Sequence, residues 1–228
     1  MSAKIKDCWY KEVCTNQCSD ICIRYNAMKS LLSYSNLPPS KHIPVQLIPM
    51  EVDLNSFCKL AEIKNNIKDF VQSGNNLYIY SSVTGNGKTS WSIKLLLKYF
   101  DEIWAGSSDT CKGLFVNVPT LLSDLKQNIS SNSESFNLLR DNITKADLVI
   151  WDDIASTQLS EYDYSQLFSF IDKRMLENKS NIFTGNLTSE SQLSKNIGKR
   201  LTSRIWNSST LIQLRGSDRR NGSNSNIE

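Results

Sequence analysis

The chain has 228 residues, enough for one α/β domain with a small appendage and too few for two full domains. Hydrophobic residues at 39% and charged residues at 21% exclude wholesale disorder and a fibrous architecture, while a formal charge of +3 is too small to diagnose a nucleic-acid partner by itself. No apolar run approaches the roughly 20 residues that span a bilayer, and the opening MSAKIKDCWYKEV lacks a secretory apolar stretch, so a cytoplasmic protein without a membrane partner is expected.

Four of the six cysteines, Cys8, Cys14, Cys18 and Cys22, crowd the first tenth of the chain. Four thiolates suit tetrahedral Zn²⁺, and a cytosolic setting argues against disulfides. The spacing is not that of a standard zinc finger. On one straight helix Cys14 and Cys22 would stand about 12 Å apart, too far for one ion, so the helix must break or some of the cysteines do not bind. An iron–sulfur cluster and a buried cysteine stripe are the alternatives. A short helical pattern ending near Tyr34 then gives way to a stretch bearing Pro38, Pro39, Pro44 and Pro49, which reads as a linker or strap. The expected organisation is a cysteine-rich domain at 1–35, a linker at 36–54, a main domain at 55–220 and a disordered tail at 221–228.

Within the main domain, Phe57, Leu60, Ala61, Ile63, Ile67, Phe70 and Val71 recur at helical spacing over 55–71, and Gly74 follows as a stop. Residues 77–80 form a short β-prone run, followed by a glycine-bearing turn and a helix over 91–104. Strands at 114–118, 148–151 and 181–184 alternate with helices at 120–127, 136–142 and 164–176. A helical segment at 190–206 leads to a last strand at 210–214, and the Ser/Asn-rich 128–135 reads as a loop. Repeated βα alternation predicts an α/β fold: a three-layer, mostly parallel sheet with helices on both faces.

Chemistry enters at SVTGNGKTS, residues 82–90, which fits G-x-x-x-x-G-K-[ST] except that Ser82 stands for the first glycine. Candidate nucleotide-binding residues are Ser82, Thr84, Gly85, Asn86, Gly87, Lys88, Thr89 and Ser90. Gly85 and Gly87 let consecutive N–H groups turn toward an anion, Lys88 adds a charge to the β- and γ-phosphates, and the Thr89 hydroxyl suits Mg²⁺. The loop lies between a strand and a helix, where the helix N-terminus favours phosphate. In DLVIWDDIAS, Asp152 suits the Mg²⁺ shell and Asp153 the attacking water. Paired capping aspartates are the bland alternative, one the phosphate loop disfavours. Asn186, after the next strand, is either a polar contact to that water or a turn residue. Between Lys195 and Arg220 the chain carries seven basic residues against Asp218 alone. Arg200 and Arg204 share one helical face, suited either to solvent or to phosphoryl transfer in a neighbouring subunit, which would imply an oligomer.

Taken in order, SNLP, NLYIYSSVTGNGKTS, LFVNVPTLLSDLK, ADLVIWDDI, NIFTGNLT, IGKRLTSRI and LRGSDRR resemble the AAA+ ATPases of the bacterial DnaC/DnaI type, helicase loaders with phage-encoded relatives, over residues 35–220. The resemblance implies a P-loop NTPase (AAA+/ASCE) fold of five parallel strands with the phosphate loop near the centre. It implies ATP and Mg²⁺ bound between protomers of a spiral homo-oligomer, a DnaB-type replicative helicase as partner, and single-stranded DNA as the loaded strand. Residue by residue, Lys88 and Thr89 match the phosphate and Mg²⁺ contacts, Asp152 and Asp153 the metal and water residues, and Asn186 the first sensor. Arg204 matches the arginine finger and Arg200 a second interface arginine. Arg219 matches the late sensor arginine more closely than Arg220, which is the residue named for the site. The DNA-gripping segment of the family falls on Ser160, Glu161 and Tyr162, with Ser160 and Tyr162 as the DNA contacts. A small metal-binding N-terminal domain in DnaI-type loaders favours zinc at the cysteine cluster. Ser82 and the short Asp153, where many AAA+ enzymes have glutamate, depart from the family pattern and imply slow turnover. An IstB-type transposition helper and a non-catalytic nucleotide-binding adaptor are the rival readings.

Overall fold

A computed structural model describes residues 8–10, 14, 21–106, 110–128 and 133–219. Helix α1 (Ile23–Tyr34) precedes an extended strap that leads to α2 (Leu54–Asn65) and α3 (Ile67–Gln72). Strand β1 (Asn76–Tyr80) and the phosphate loop follow, then α4 (Lys88–Ile103), β2 (Gly113–Asn117), α5 (Val118–Gln127) and α6 (Glu134–Lys145). The chain continues through β3 (Leu148–Asp152), α7 (Glu161–Leu176), β4 (Ser180–Gly185), α8 (Glu190–Ile197), α9 (Lys199–Trp206) and β5 (Ser209–Gln213).

The five strands form one sheet in the order β2-β3-β4-β1-β5, and every pairing is parallel. β3 and β4 are buried along their whole length, as strands covered on both faces must be. Alternate residues serve opposite layers. Leu77, Ile79, Leu148, Ile150 and Ile182 pack with α1 to α4, whereas Tyr78, Val149, Trp151 and Phe183 pack with α5 to α9. β1 lies beside the central β4, so the phosphate loop emerges one strand from the middle of the sheet.

Two helical patterns that run unbroken in the sequence are split. Asn66, at φ −112° and ψ 26°, ends α2, its N–H reaching back to Glu62 and Ile63 before α3 restarts. Gly198, at φ +77°, separates α8 from α9, and a Cβ there would meet the Tyr164 ring at 3.1 Å. Apolar spacing continues across both breaks, which is why periodicity alone joins the helices.

α1 falls in the segment expected as a separate cysteine-rich domain. Its buried residues, Met28, Leu31 and Leu32, share one hydrophobic cluster with Phe57, Leu77 and Leu95, so this helix is part of the main core. The helix begins only after Cys22, so Cys14 and Cys22 do not line one helical face. Cys8 is buried and Cys14 and Cys22 half-buried as free thiols, and Cys18 lies outside the described residues. Among the described residues no three potential ligands converge on a metal position. The tail at 221–228 is outside them too. Among them, no helix is long and apolar enough to cross a membrane.

A buried arginine locks the layer that carries the acidic strand. Arg174 is fully buried, and its guanidinium donates to Asn181 Oδ1 (2.7 Å) and to the carbonyls of Ile143 (2.7 Å), Ala146 (2.8 Å) and Ser180 (2.6 Å). Trp151 Nε1 donates to the same Asn181 oxygen at 3.0 Å. These bonds join α6, α7, β3 and β4 at the end of the strands opposite to Asp152. Burial lowers the Arg174 pKa to about 9.

Candidate nucleotide site

The phosphate loop is framed from inside. Buried Ser81 accepts from Val83 N–H (3.0 Å) and from Asn86 Nδ2 (2.6 Å), and Asn86 also donates to the Leu214 carbonyl at 3.3 Å. The Asn86 side chain is therefore a brace for the loop, leaving its backbone to face a ligand. Gly85 and Gly87 take φ +69° and +108°, the left-handed values that let successive N–H groups converge. Ser82 does not have a positive φ and is exposed, so this position needs no glycine. Thr84 is exposed on the loop, and Ser90 lies in the first turn of α4.

Lys88 opens α4 and is buried, its ammonium donating to the Val83 carbonyl at 2.8 Å and to Asn86 Oδ1 at 3.4 Å. Next to it, Thr89 Oγ1 donates to Asp152 Oδ1 at 2.8 Å. The loop after β1 and the carboxylate at the end of β3 thus share one cleft, although a whole strand, β4, separates them in the sheet. Thr184 on β4, between those strands, donates to Asp152 Oδ1 (2.8 Å) and accepts from Asp153 N–H (3.0 Å). Asp153 sits at φ +59°, and Asn186 Nδ2 donates to its Oδ1 at 3.2 Å. Burial raises the Asp153 pKa, the neighbouring Asp152 charge adds to the rise, and Lys88 opposes it. A carboxylate held above its usual range beside a fixed polar amide is the arrangement a general base requires.

Sequence reasoning misses two residues of this cleft. Ser81 and Thr184 are small polar residues at strand ends, and their buried hydroxyls become informative only when the strands are aligned. Arg219, one of the two late-sensor candidates, also meets the loop. Its N–H donates to Gly85 O (3.1 Å), its Nε donates to Asn86 O (3.1 Å), and its Nη1 donates to Ile48 O on the strap. Its guanidinium also lies over the Phe57 ring at 5.3 Å. Among the described residues its Nη2 is buried without an acceptor, an unused donor beside the phosphate loop. The basic run LRGSDRR is the sequence signal for this position, and it is Arg219 that meets the loop. Arg220 lies outside the described residues.

The other expected residues lie apart from the loop. Arg200 is exposed on α9, and Arg204 pairs with Asp172 Oδ1 on α7 at 2.7 Å. Ser160 is the N-cap of α7, accepting from Asp163 N–H and donating to Asp163 Oδ2 in a reciprocal capping box that S-x-x-D already signals. Tyr162, in the first turn of α7, is 38% exposed.

The donor set fits a nucleotide with a divalent cation: left-handed glycines, a buried ammonium, a hydroxyl–carboxylate pair and an arginine with a donor to spare. No protein-family model matches the sequence, and no curated protein matches it. Solved structures do. The DnaC helicase loader superposes with a TM-score of 0.61 at 19% identity, covering 73% of this chain and 93% of that one. DnaI superposes with a TM-score of 0.59 at 24% identity, covering 81% and 94%. The fold is that of DnaC and DnaI. The replication initiator DnaA, bound to AMPPCP and single-stranded DNA, gives a TM-score of 0.56 at 18% identity over 74% of this chain and 48% of its own. The DnaC-type fold puts the expected three-layer parallel sheet on firm ground, with the phosphate loop on β1 and the acidic pair at the end of β3.

Proposed function

We propose that this chain is an ATP hydrolase of the AAA+ type that loads a DnaB-type replicative helicase onto single-stranded DNA. The observation that carries this reading is the 2.8 Å bond from Thr89 to Asp152, which joins the phosphate loop to the acidic strand. Lys88 gives up its bond to Val83 to meet the β- and γ-phosphates, and the loop N–H groups take their oxygens. Thr89 and Asp152 would hold Mg²⁺, which neutralises phosphate charge when bound. Asp153 accepts the proton of the attacking water while Asn186 fixes that carboxylate's orientation. Arg219 supplies its free Nη2 donor from the covering C-terminal segment, and Arg204 and Arg200 reach the nucleotide of a neighbouring protomer in a spiral assembly.

Around that centre, Tyr162 stacks on a base of single-stranded DNA at the N-terminus of α7, and residues 1–35 dock on the helicase. The DnaC and DnaI folds and the DNA-bound DnaA structure support a role in replication. Lys88→Ala tests the enzyme: nucleotide binding, measured by calorimetry, and DNA-stimulated hydrolysis should both fall by at least tenfold. Unchanged values for both would leave an adaptor without catalysis. For the loader, the wild-type protein should increase helicase recovered on a primerless single-stranded circle in the presence of ATP. Equal recovery without the protein would refute loading while leaving hydrolysis intact.

A further inference from the structure

A second cavity, of about 350 Å³, lies where the N-terminal segment crosses α1, α2 and α4. Its wall is apolar: Trp9, Met28, Ile43, Pro44 and Leu97. A polar clasp holds the wall in place. Tyr10 Oη (2.5 Å) and Arg24 Nη2 (2.6 Å) both donate to Asp101 Oδ1, the Arg24 guanidinium covers the Tyr10 ring at 3.5 Å, and Trp9 Nε1 donates to the His42 carbonyl at 2.8 Å.

The charges at the rim are unequally satisfied. Lys98 pairs with Asp101 at 3.5 Å and with Glu102. Lys64 on α2 and Lys94 on α4 have no carboxylate partner among the described residues. Burial lowers the Lys94 pKa, and the like charge of Lys64 lowers it further. Lys64 and Lys94 both line this hydrophobic hollow, Lys94 Nζ lying over the Trp91 ring at 5.3 Å, and an anion between the two ammonium groups would relieve both the repulsion and the desolvation. Outside the cavity the apolar surface continues along the strap, with Ile43 61% and Val45 58% exposed.

We propose that this cavity is a docking site for an acidic, apolar-anchored peptide segment of a partner protein. One large aliphatic or aromatic side chain of the partner fills the hollow, and its flanking carboxylates bridge Lys64 and Lys94. Lys64 and Lys94 call for carboxylates, and the apolar hollow calls for a protein side chain. The rings at its wall are already engaged, Tyr10 with Arg24 and Trp9 with Tyr25 at 5.6 Å, so they offer less to a stacking base. The cavity shares no residue with the nucleotide site.

The test is a library of short random peptides displayed on phage, panned on the full-length protein and, in parallel, on Lys64→Glu/Lys94→Glu. Wild type should enrich sequences that place Leu, Ile, Phe or Trp beside Asp or Glu, and the double variant should not. The best peptide, synthesised with a fluorophore, should lose at least tenfold in affinity on the double variant by anisotropy. It should lose as much on Ile43→Asp, a change at an exposed position that the fold tolerates. ATP binding measured on the same preparations should be unchanged in both variants. No enrichment, enrichment of peptides without acidic residues, or equal affinity for wild type and the double variant would overturn the proposal. So would a fluorescent oligothymidylate that binds wild type and loses its affinity in the double variant while the peptide does not.

Discussion

The Arg174 junction and the phosphate loop lie in the same sheet and solve opposite problems. At the junction each nitrogen of a buried guanidinium meets an acceptor supplied by the chain, and three of the four acceptors are backbone carbonyls. At the loop, Thr89 donates to Asp152, Lys88 rests on the Val83 carbonyl, and Arg219 keeps a donor unused. Complete internal satisfaction makes a rigid support, whereas a set of bonds that a ligand can replace makes a site. The polar residues of the sheet thus divide by what their bonds exclude: water and ligand at Arg174, water alone at Lys88.

The strongest way to break this contrast is to remove the support. Arg174→Met leaves three carbonyls without their arginine donor and Asn181 Oδ1 with Trp151 alone, and such losses at a buried charged group cost about 3–5 kcal/mol. Urea unfolding should show that loss, and a change under about 1 kcal/mol would mean that the junction is not a support. Asp153→Asn acts on the other region. Hydrolysis should fall by roughly 10²-fold or more with ATP affinity retained, since general-base contributions are of that size. Stability should move the other way. A carboxyl whose folded pKa is raised stabilises the protein below its unfolded pKa, and that contribution is lost as pH rises through the folded value. At neutral pH the Asp153 charge therefore opposes folding, and Asn, which also tolerates the φ of +59°, should raise Tm. The gain should vanish in acid. A lower Tm at neutral pH would show that the carboxylate is held by favourable contacts.

These two regions were unequally legible in the sequence. The loop and the acidic strand are contiguous motifs, so Gly85–Thr89 and Asp152 are readable from spacing, and the βα alternation that brings them to one edge of the sheet is readable from period. Arg174 is one basic residue in an amphipathic helix, and nothing local distinguishes it from a solvated arginine. Its acceptors come from α6, β4 and a loop, and they meet only after folding. Gly198 was visible as a glycine, yet the apolar residues Leu193, Ile197, Leu201 and Ile205 keep helical spacing across it, so the pattern outweighed the break. Ser160 and Asp163 carry a capping signature that the DNA-contact reading passed over, and the structure gives the Ser160 hydroxyl to the cap.

Tyr162 sharpens the contrast at smaller scale, because it stands on the same helix as Arg174 but at the exposed end. If its ring stacks on a base, Tyr162→Ala should weaken binding to single-stranded oligonucleotide by about 1–3 kcal/mol, a loss that persists as salt is raised. Tm should not change. An affinity unchanged by the substitution would return Tyr162 to an ordinary surface residue and leave the capping box as the whole purpose of that turn.

The smallest expected effect lies between the two regions, at the Arg204–Asp172 pair. Both side chains are partly exposed, at 44% and 21%, so solvent screening holds the pair to about 1 kcal/mol or less. A pair that weak contributes little to folding, but it holds Arg204 to its own protomer, and reaching a neighbour's phosphate draws the guanidinium away from Asp172. Asp172→Asn keeps the shape and removes the competing charge. Hydrolysis per protomer should then rise by roughly twofold to fivefold at protein concentrations where the wild type is partly assembled, the factor that up to about 1 kcal/mol allows. At high dilution the two proteins should be indistinguishable, because an isolated protomer has no neighbour for Arg204 to reach. An increase that is independent of concentration would place Arg204 at its own protomer's nucleotide, and no increase at any concentration would remove Asp172 from the control of hydrolysis.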